Sequence, residues 1–294
     1  KELSKRFGSK DIRTSFLQKI PFWKSLYKVL LPLYPIAFEQ FNFDQFDLVI
    51  SHTTRFAKCI ITKPETKHAC YCHTPPRFLW HFSGQKNFGL GDLLMSWLRI
   101  FDKVSSSRVD FFLAGSENAK KRIAKIYRSE AKVVYPFIDL ERFKKIKTFD
   151  GNYFVVLGRP NKYKRFDLAI EACQKFGFDL KVISGGLSDE GVVKTLAGCK
   201  ALIIPGIEDF GLTSLEAQAL GKPVIAFRGG GALETVVECK TGLFFDEKTA
   251  ESLETILKRF DDSYHFKVRD CQNNAGKFSK PNFIKNFKQI LANL

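Results

Sequence analysis

At 294 residues, 45% of them apolar and 27% charged, the chain has the composition of a soluble globular protein with room for two ordinary domains. This excludes disordered and fibrous classes and requires neither disulfides nor metals for stability. A formal net charge of +16 calls for something acidic, whether nucleic acid, an anionic membrane surface or a phosphorylated substrate. No zinc-finger spacing, RNP signature or basic helix with heptads accompanies the lysines, so nucleic acid is not expected as a partner.

The seven cysteines, at 59, 70, 72, 173, 199, 239 and 271, form no CxxC pair and no Cys/His cluster. They read as small buried residues in a reducing cytoplasm, with no disulfide and no metal. The longest early apolar stretch, residues 29–38, is about half a bilayer-spanning length and is broken by Pro32 and Pro35. No membrane span and no signal peptide are expected, and residue 1 is Lys rather than Met. Residues 20–38 (IPFWKSLYKVLLPLYPIAF) predict a short helix followed by an extended turn, packed on the first domain's core or, alternatively, resting on a membrane surface.

Short apolar strands then alternate with amphipathic helices: DLVIS (47–51), HACYC (68–72), a helix over about 91–106, FFLAG (111–115), a helix over 117–128 and KVVYP (132–136). A charged stretch at 141–151 reads as a linker, after which the pattern restarts. YFVVLG (153–158), a helix over 166–176, DLKVIS (179–184), ALIIP (201–205), a helix over 214–220 and PVIAF (223–227) follow. Such alternation predicts two α/β domains, each with a parallel sheet covered on both faces, and a ligand cleft at the strands' carboxyl ends.

Candidate chemistry collects at the ends of the second set of strands. After ALIIP, a loop with Gly206 and Gly211 leads into a helix whose amino terminus attracts phosphate oxygens. Glu208 and Glu216, with seven residues between them, can address one bound molecule from two ends. Thr213-Ser214-Leu215-Glu216 also matches a capping box, which would make Glu216 a helix cap only. LGRPNKYKR places Gly158, Arg159, Lys162, Lys164 and Arg165 on one loop, able to neutralise a departing diphosphate or merely to be solvated. Gly185-Gly186 and Gly229-Gly230-Gly231 either admit a ligand close to the backbone or mark turns. Neither a full GxGxxG nor a GxxxxGK[ST] is present.

The EDFGLTSLE spacing, GRPNKYKR about fifty residues before it and GGGALE after it resemble glycosyltransferase family 4. In the first half CYCHTPPRFLW, AGSENAKKRIAKIY and VVYPFIDLERF are similar to the same family, especially its bacterial O-antigen and exopolysaccharide mannosyltransferase-like branch. The resemblance implies a GT-B architecture of two facing Rossmann-like domains with a cleft between them. It implies an acceptor-side domain at 1–148, a donor domain at 149–280 and a C-terminal helix at 281–294 crossing back. Arg159 and Lys164 would then bind the diphosphate, Glu208 would contact the transferred sugar and Glu216 the ribose hydroxyls. His73 would reach toward the sugar, although a strand-end histidine is also often structural. Gly158, Arg165, Gly185, Phe210, Gly211, Leu212, Thr213 and Gly230 would line the donor pocket.

The implied reaction is transfer from a GDP- or UDP-hexose, mannose by family branch, with retention at the anomeric carbon. No cofactor and no metal are implied, in keeping with the lack of a DxD dyad. The acceptor would be a glycan or lipid-linked molecule, and the enzyme cytoplasmic and peripheral on the inner face of the plasma membrane. Two departures stand out: the first domain lacks the family's opening strand and glycine-rich loop, and the stretch after Gly186 lacks a helix and strand. A second sheet short by one strand and a less stable protein are therefore expected. A nucleotide-sugar-binding protein impaired in catalysis, and a nucleotide-sugar epimerase, are the alternatives.

Overall fold

A computed structural model describes residues 7–8, 10–80 and 91–292. The end of the C-terminal helix expected at 281–294, residues 293–294, lies outside the described residues. Two compact units emerge: one takes the chain up to Phe112 together with Ile126–Ser129, the other Leu113–Lys125 and everything from Glu130 onward.

In the first unit the expected order of helix then turn over 20–38 is reversed. Turns occupy 21–30, and a 3-10 turn at Leu31–Leu33 leads into α1 (Tyr34–Glu39). Pro32 and Pro35 sit in the first turns of these two pieces, where a backbone N–H has no intrahelical partner to lose. Leu31, Tyr34 and Phe38 pack against a buried cluster of Phe56, Cys59, Leu79 and Leu98. Phe22 and Val29, by contrast, remain 83% and 75% exposed, so the segment divides between core and surface.

Strands β1 (Leu48–Thr53) and β2 (Lys67–Cys72) pair in parallel, Leu48 opposite Lys67 through Thr53 opposite Cys72. Helices α2 (Arg77–Trp80) and α3 (Gly91–Ser105) follow, then β3 (Phe111–Ala114), α4 (Glu117–Tyr127), β4 (Ala131–Val133) and α5 (Glu141–Lys144). The sheet order is β1-β2-β3-β4. A fully buried Lys58–Asp102 ion pair sits in the first unit, where Trp80 Nε1 and the Tyr127 hydroxyl donate to Asp102 Oδ2 at 2.8 and 2.9 Å.

The second sheet has the order β6-β5-β7-β8-β9 and is parallel throughout. Its strands and helices run β5 (Phe154–Leu157), α6 (Phe166–Phe176), β6 (Leu180–Ile183), α7 (Asp189–Ala197), β7 (Leu202–Ile204), α8 (Leu212–Ala219), β8 (Val224–Phe227), α9 (Ala232–Thr235) and β9 (Gly242–Phe245). Helices α10 (Ala250–Ser263), α11 (Val268–Gly276) and α12 (Lys280–Leu291) complete it. The sequence pattern names only four of these five strands and omits β9, the run GLFF, which is buried at every position.

Successive residues of the central strands feed two cores. Val155, Leu202, Ile204, Val224, Ala226 and Phe244 face α7 and α8 through Val193, Leu196 and Ala217. Phe154, Val156, Ile203, Ile225, Leu243 and Phe245 face α6 and α10 through Leu168, Ala172, Leu253 and Leu257. Fully burying each large aliphatic or aromatic side chain contributes about 1.5–3 kcal/mol, which is why the strands read as unbroken apolar runs. All seven cysteines are free and all but Cys239 are buried. Burial pushes the Cys70 thiol up to about 11 and those of Cys199 and Cys271 to about 12, leaving them neutral, as core residues should be.

Candidate functional site

Within the second unit three loops meet at the carboxyl ends of β5, β7 and β8. The first leaves β5 through Gly158, whose φ of +132° is a conformation that favours glycine. A Cβ there would lie 2.6 Å from Lys164 Nζ, so the lysine ammonium rests directly over this glycine. Lys164 Nζ also pairs with Glu208 Oε1 at 3.0 Å, both side chains largely shielded from solvent. The two residues are 44 positions apart in sequence, and the tertiary fold makes them a single cationic–anionic pair.

The second loop follows β7. Gly206 is buried so closely against the first loop that an added Cβ would stand 2.0 Å from the Tyr163 carbonyl oxygen and 2.6 Å from Lys164 Cα. Gly211, at φ +100°, turns the chain into α8. The third loop, after β8, is bonded to the second: Gly231 N donates to Glu208 O at 2.9 Å, and Glu208 and Gly230 form a parallel bridge. Gly231 is pressed so tightly that a Cβ would meet Phe210 Cα at 2.3 Å. Gly158, Lys164, Glu208, Gly211 and Gly230 are thus brought together.

Glu216 takes a different course from the capping alternative. Helix α8 begins at Leu212 with Gly211 as its N-cap and no side-chain cap, so Ser214 and Glu216 both lie inside it. Ser214 Oγ instead accepts from Gln218 Nε2 at 2.9 Å. The Glu216 carboxylate stands 4.0 Å from Arg142 of α5, and the same guanidinium reaches Asp189 at 3.5 Å. Burial raises the Glu216 pKa above the ordinary carboxylate value; Arg142 opposes the rise and Asp189 adds to it. A carboxylate held near one cation and partly shielded from water is suited to accept hydrogen bonds from vicinal hydroxyls.

The remaining expected residues are less convergent. Arg159 is exposed on the first loop. Arg165 holds a left-handed conformation, φ 51°, and its Nε binds Asp167 Oδ2 at 2.9 Å, in the first turn of its own helix. Gly185, after β6, is exposed, with nothing near its Cβ position. The Phe210 ring is buried, 5.5 Å from both Tyr135 and Phe278, so only its backbone can meet a ligand. Leu212 is exposed and Thr213 half-buried in the first turn of α8. His73 belongs to the first unit, just past β2, where its Nε2 lies 2.6 Å from His52 Nε2 and its ring meets Tyr71 edge-on.

Sequence reasoning assigned no role to several residues that touch these loops. Ser116, Asn118 and Arg122 reach Glu208 and Asp209, and Glu234 reaches back to α4. Their motifs, AGSENAKKR and GGGALE, were visible, but a first-half helix gives no sequence signal of contact with a second-half loop.

The family model described as Glycosyltransferase Family 4 matches residues 5–142, and that described as Glycosyl transferases group 1 matches residues 179–278. The alpha-1,3/1,6-mannosyltransferase ALG2 of Dictyostelium discoideum is 24% identical over 76% of this chain and 70% of its own length. Two other curated relatives are spanned over 58% and 53% of their lengths. Among solved structures, sucrose-phosphate synthase from Thermosynechococcus elongatus matches with a TM-score of 0.71 at 14% identity, covering 93% of this chain and 80% of that one. Anabaena HepE in complex with UDP and glucose matches with a TM-score of 0.61 at 17% identity, over 97% and 84%. At such identities the structural likeness is one of fold, and the fold is GT-B.

Proposed function

The chain belongs to glycosyltransferase family 4, and we propose that it is a retaining hexosyltransferase using a GDP- or UDP-sugar, mannose foremost. The observation that carries the donor-site reading is the Lys164–Glu208 pair seated over Gly158, beside the glycine-lined ends of β7 and β8. The ALG2 relative's mannosyltransferase name supports the sugar, and the complex of HepE with UDP and glucose supports a nucleotide in this fold.

In this reading Lys164 and the exposed Arg159 receive the donor diphosphate, and Glu216 accepts hydrogen bonds from the ribose hydroxyls. Glu208 fixes Lys164 before the donor arrives and contacts the transferred sugar. Backbone from Phe210 to Thr213 lies along the same pocket. The bond from the anomeric carbon to the diphosphate oxygen breaks as the acceptor oxygen bonds to the same face, and the acceptor proton leaves on the departing phosphate. Positive side chains stabilise the charge that develops on the diphosphate, so no metal is needed in the proposed step.

The acceptor is proposed to be a lipid-linked or polysaccharide glycan in cell-surface glycan synthesis, met by the enzyme at the inner face of the plasma membrane. Among the described residues no helix is long and apolar enough to cross a membrane. Helix α3, however, exposes Leu93 at 76%, Ile100 at 65% and Val104 at 58% along one stripe, and Lys24 and Lys28 flank the exposed Phe22 and Val29. Apolar side chains among lysines suit an anionic lipid surface. Co-sedimentation that is indifferent to anionic lipid would remove this part and leave the transferase reading intact.

Calorimetry with GDP-, UDP- and dTDP-sugars on the wild type, Lys164→Ala and Glu216→Ala tests the donor site. Binding of one nucleotide class, lost in both variants, supports it; binding that survives both rejects it. Product analysis then separates the alternatives. Transfer with retention and indifference to EDTA fits the proposal, binding without turnover fits an impaired binder, and an isomerised sugar nucleotide released without acceptor fits an epimerase.

A further inference from the structure

We infer that Ser116, Asn118 and Arg122, at the start of α4, are positioning residues that clamp the backbone beneath Glu208 and so set where its carboxylate stands. The inference rests on the proposed role of Glu208 at the transferred sugar. All the residues concerned lie in the second unit, to which Leu113–Lys125 belongs although it is encoded in the first half of the chain.

Ser116, Asn118 and Arg122 each reach the two-residue stretch 208–209 by a hydrogen bond or an ion pair. Asn118 Nδ2 donates to Glu208 O at 3.2 Å and to Asp209 O at 3.4 Å. The buried Ser116 hydroxyl donates to Asp209 O at 2.7 Å while accepting from Ala119 N at 2.9 Å, so one side chain caps α4 and holds the loop. Arg122 pairs with the Asp209 carboxylate. Glu234, from the GGGALE stretch, secures the clamp in return: its two carboxylate oxygens accept from Glu117 N at 2.7 Å and Asn118 N at 3.0 Å.

The arrangement leaves the Glu208 carboxylate to Lys164 while its own carbonyl is held by Gly231 and Asn118. On the other side the buried Phe210 ring is locked between Tyr135 and Phe278. A carboxylate whose flanking peptides are fixed on both sides has few directions left to it. Reacting geometries tolerate little error: a displacement of about 1 Å costs on the order of 10²-fold in rate. The bonds named above run to main chain and to Asp209 rather than to Lys164 or Glu216, so the loss of the clamp is expected in turnover rather than in nucleotide affinity.

The test uses the full chain with Asn118→Asp, Arg122→Ala and Arg122→Lys, beside Glu208→Ala. Asn118→Asp replaces the donor amide with a carboxylate that repels the two carbonyl oxygens; Arg122→Lys keeps the charge on Asp209. Initial rates with the sugar nucleotide selected by the binding panel give kcat and KM, and calorimetry with UDP and GDP gives Kd. The expected result is a kcat reduced 10- to 100-fold in Asn118→Asp and Arg122→Ala, with KM and Kd within about twofold, and recovery in Arg122→Lys. Adding Asn118→Asp to Glu208→Ala should lower kcat no further.

Wild-type turnover in Asn118→Asp and Arg122→Ala, with Glu208→Ala slowed, overturns the clamp and leaves the site reading standing. Joint loss of kcat, affinity and thermal midpoint in all three clamp variants reduces these residues to structural support and also overturns it. Wild-type turnover in Glu208→Ala removes the reading on which the clamp depends, and both fall.

Discussion

Substituting Gly206 by Ala tests whether the loops after β5 and β7 must touch for the site to work. The added methyl would meet the Tyr163 carbonyl oxygen at 2.0 Å and Lys164 Cα and C at 2.6 and 2.7 Å. All three are backbone atoms, so no rotamer change relieves the clash, and one loop must retreat by on the order of 1 Å to reach normal contact. Overpacking of this kind costs about 1–3 kcal/mol. The thermal midpoint should fall by roughly 2–4 °C per kcal/mol in a unit of this size. Because Lys164 rides on the displaced loop, its 3.0 Å pair with Glu208 should open as well. Calorimetry with UDP and GDP should show binding weakened by about tenfold, equivalent to about 1.4 kcal/mol. On a Lys164→Ala background the same substitution should barely change affinity, since the group it displaces is already gone. A Gly206→Ala protein with wild-type midpoint and wild-type nucleotide affinity would refute the packing argument.

Gly231→Ala drives a methyl to within 2.3 Å of Phe210 Cα and should weaken nucleotide binding while circular dichroism keeps the α/β signature; unchanged affinity would separate this loop from the site. The raised pKa of Glu216 gives a signed pH dependence. The folded chain holds that proton more tightly than the unfolded one, so the stability it contributes is full below the unfolded pKa and is lost as pH rises through the folded one. Nucleotide affinity should move the other way, strengthening as the carboxylate ionises; Glu216→Gln should flatten the profile and Arg142→Ala should shift it to higher pH. A flat wild-type profile would contradict a role for the ionised carboxylate. In the first unit, Lys58→Ala strands Asp102 as a buried charge and should destabilise by about 3–5 kcal/mol in denaturant unfolding, whereas replacing both partners by apolar residues should cost much less.

The alternation of short apolar runs with amphipathic helices was enough to predict two α/β halves, because burial on both faces of a parallel sheet demands such runs wherever it occurs. Helix α6 coincides with the stretch expected from LGRPNKYKR onward, and α4 ends within a residue of its expected end. The motifs at 158–165 and 206–216 likewise lie where strand ends place them, since short-range spacing is set by the chain itself. β9, GLFF, was passed over although it is a short buried apolar run like β5, β7 and β8. Residues 20–38 inverted because a mixed aromatic–lysine stretch carries no period and its prolines suit a helix start as well as a break. Glu216 was ambiguous for a related reason: Thr-Ser-Leu-Glu caps a helix only if the helix begins there, and Gly211 starts this one earlier. Above all, the partnership of Lys164 with Glu208, and of Asn118 and Arg122 with the loop at 208–209, joins residues 44 to 91 positions apart. Local propensity fixes elements over a few turns of chain, but which loops meet is decided by strand order in the sheet, and that order exists only once the long-range contacts have formed.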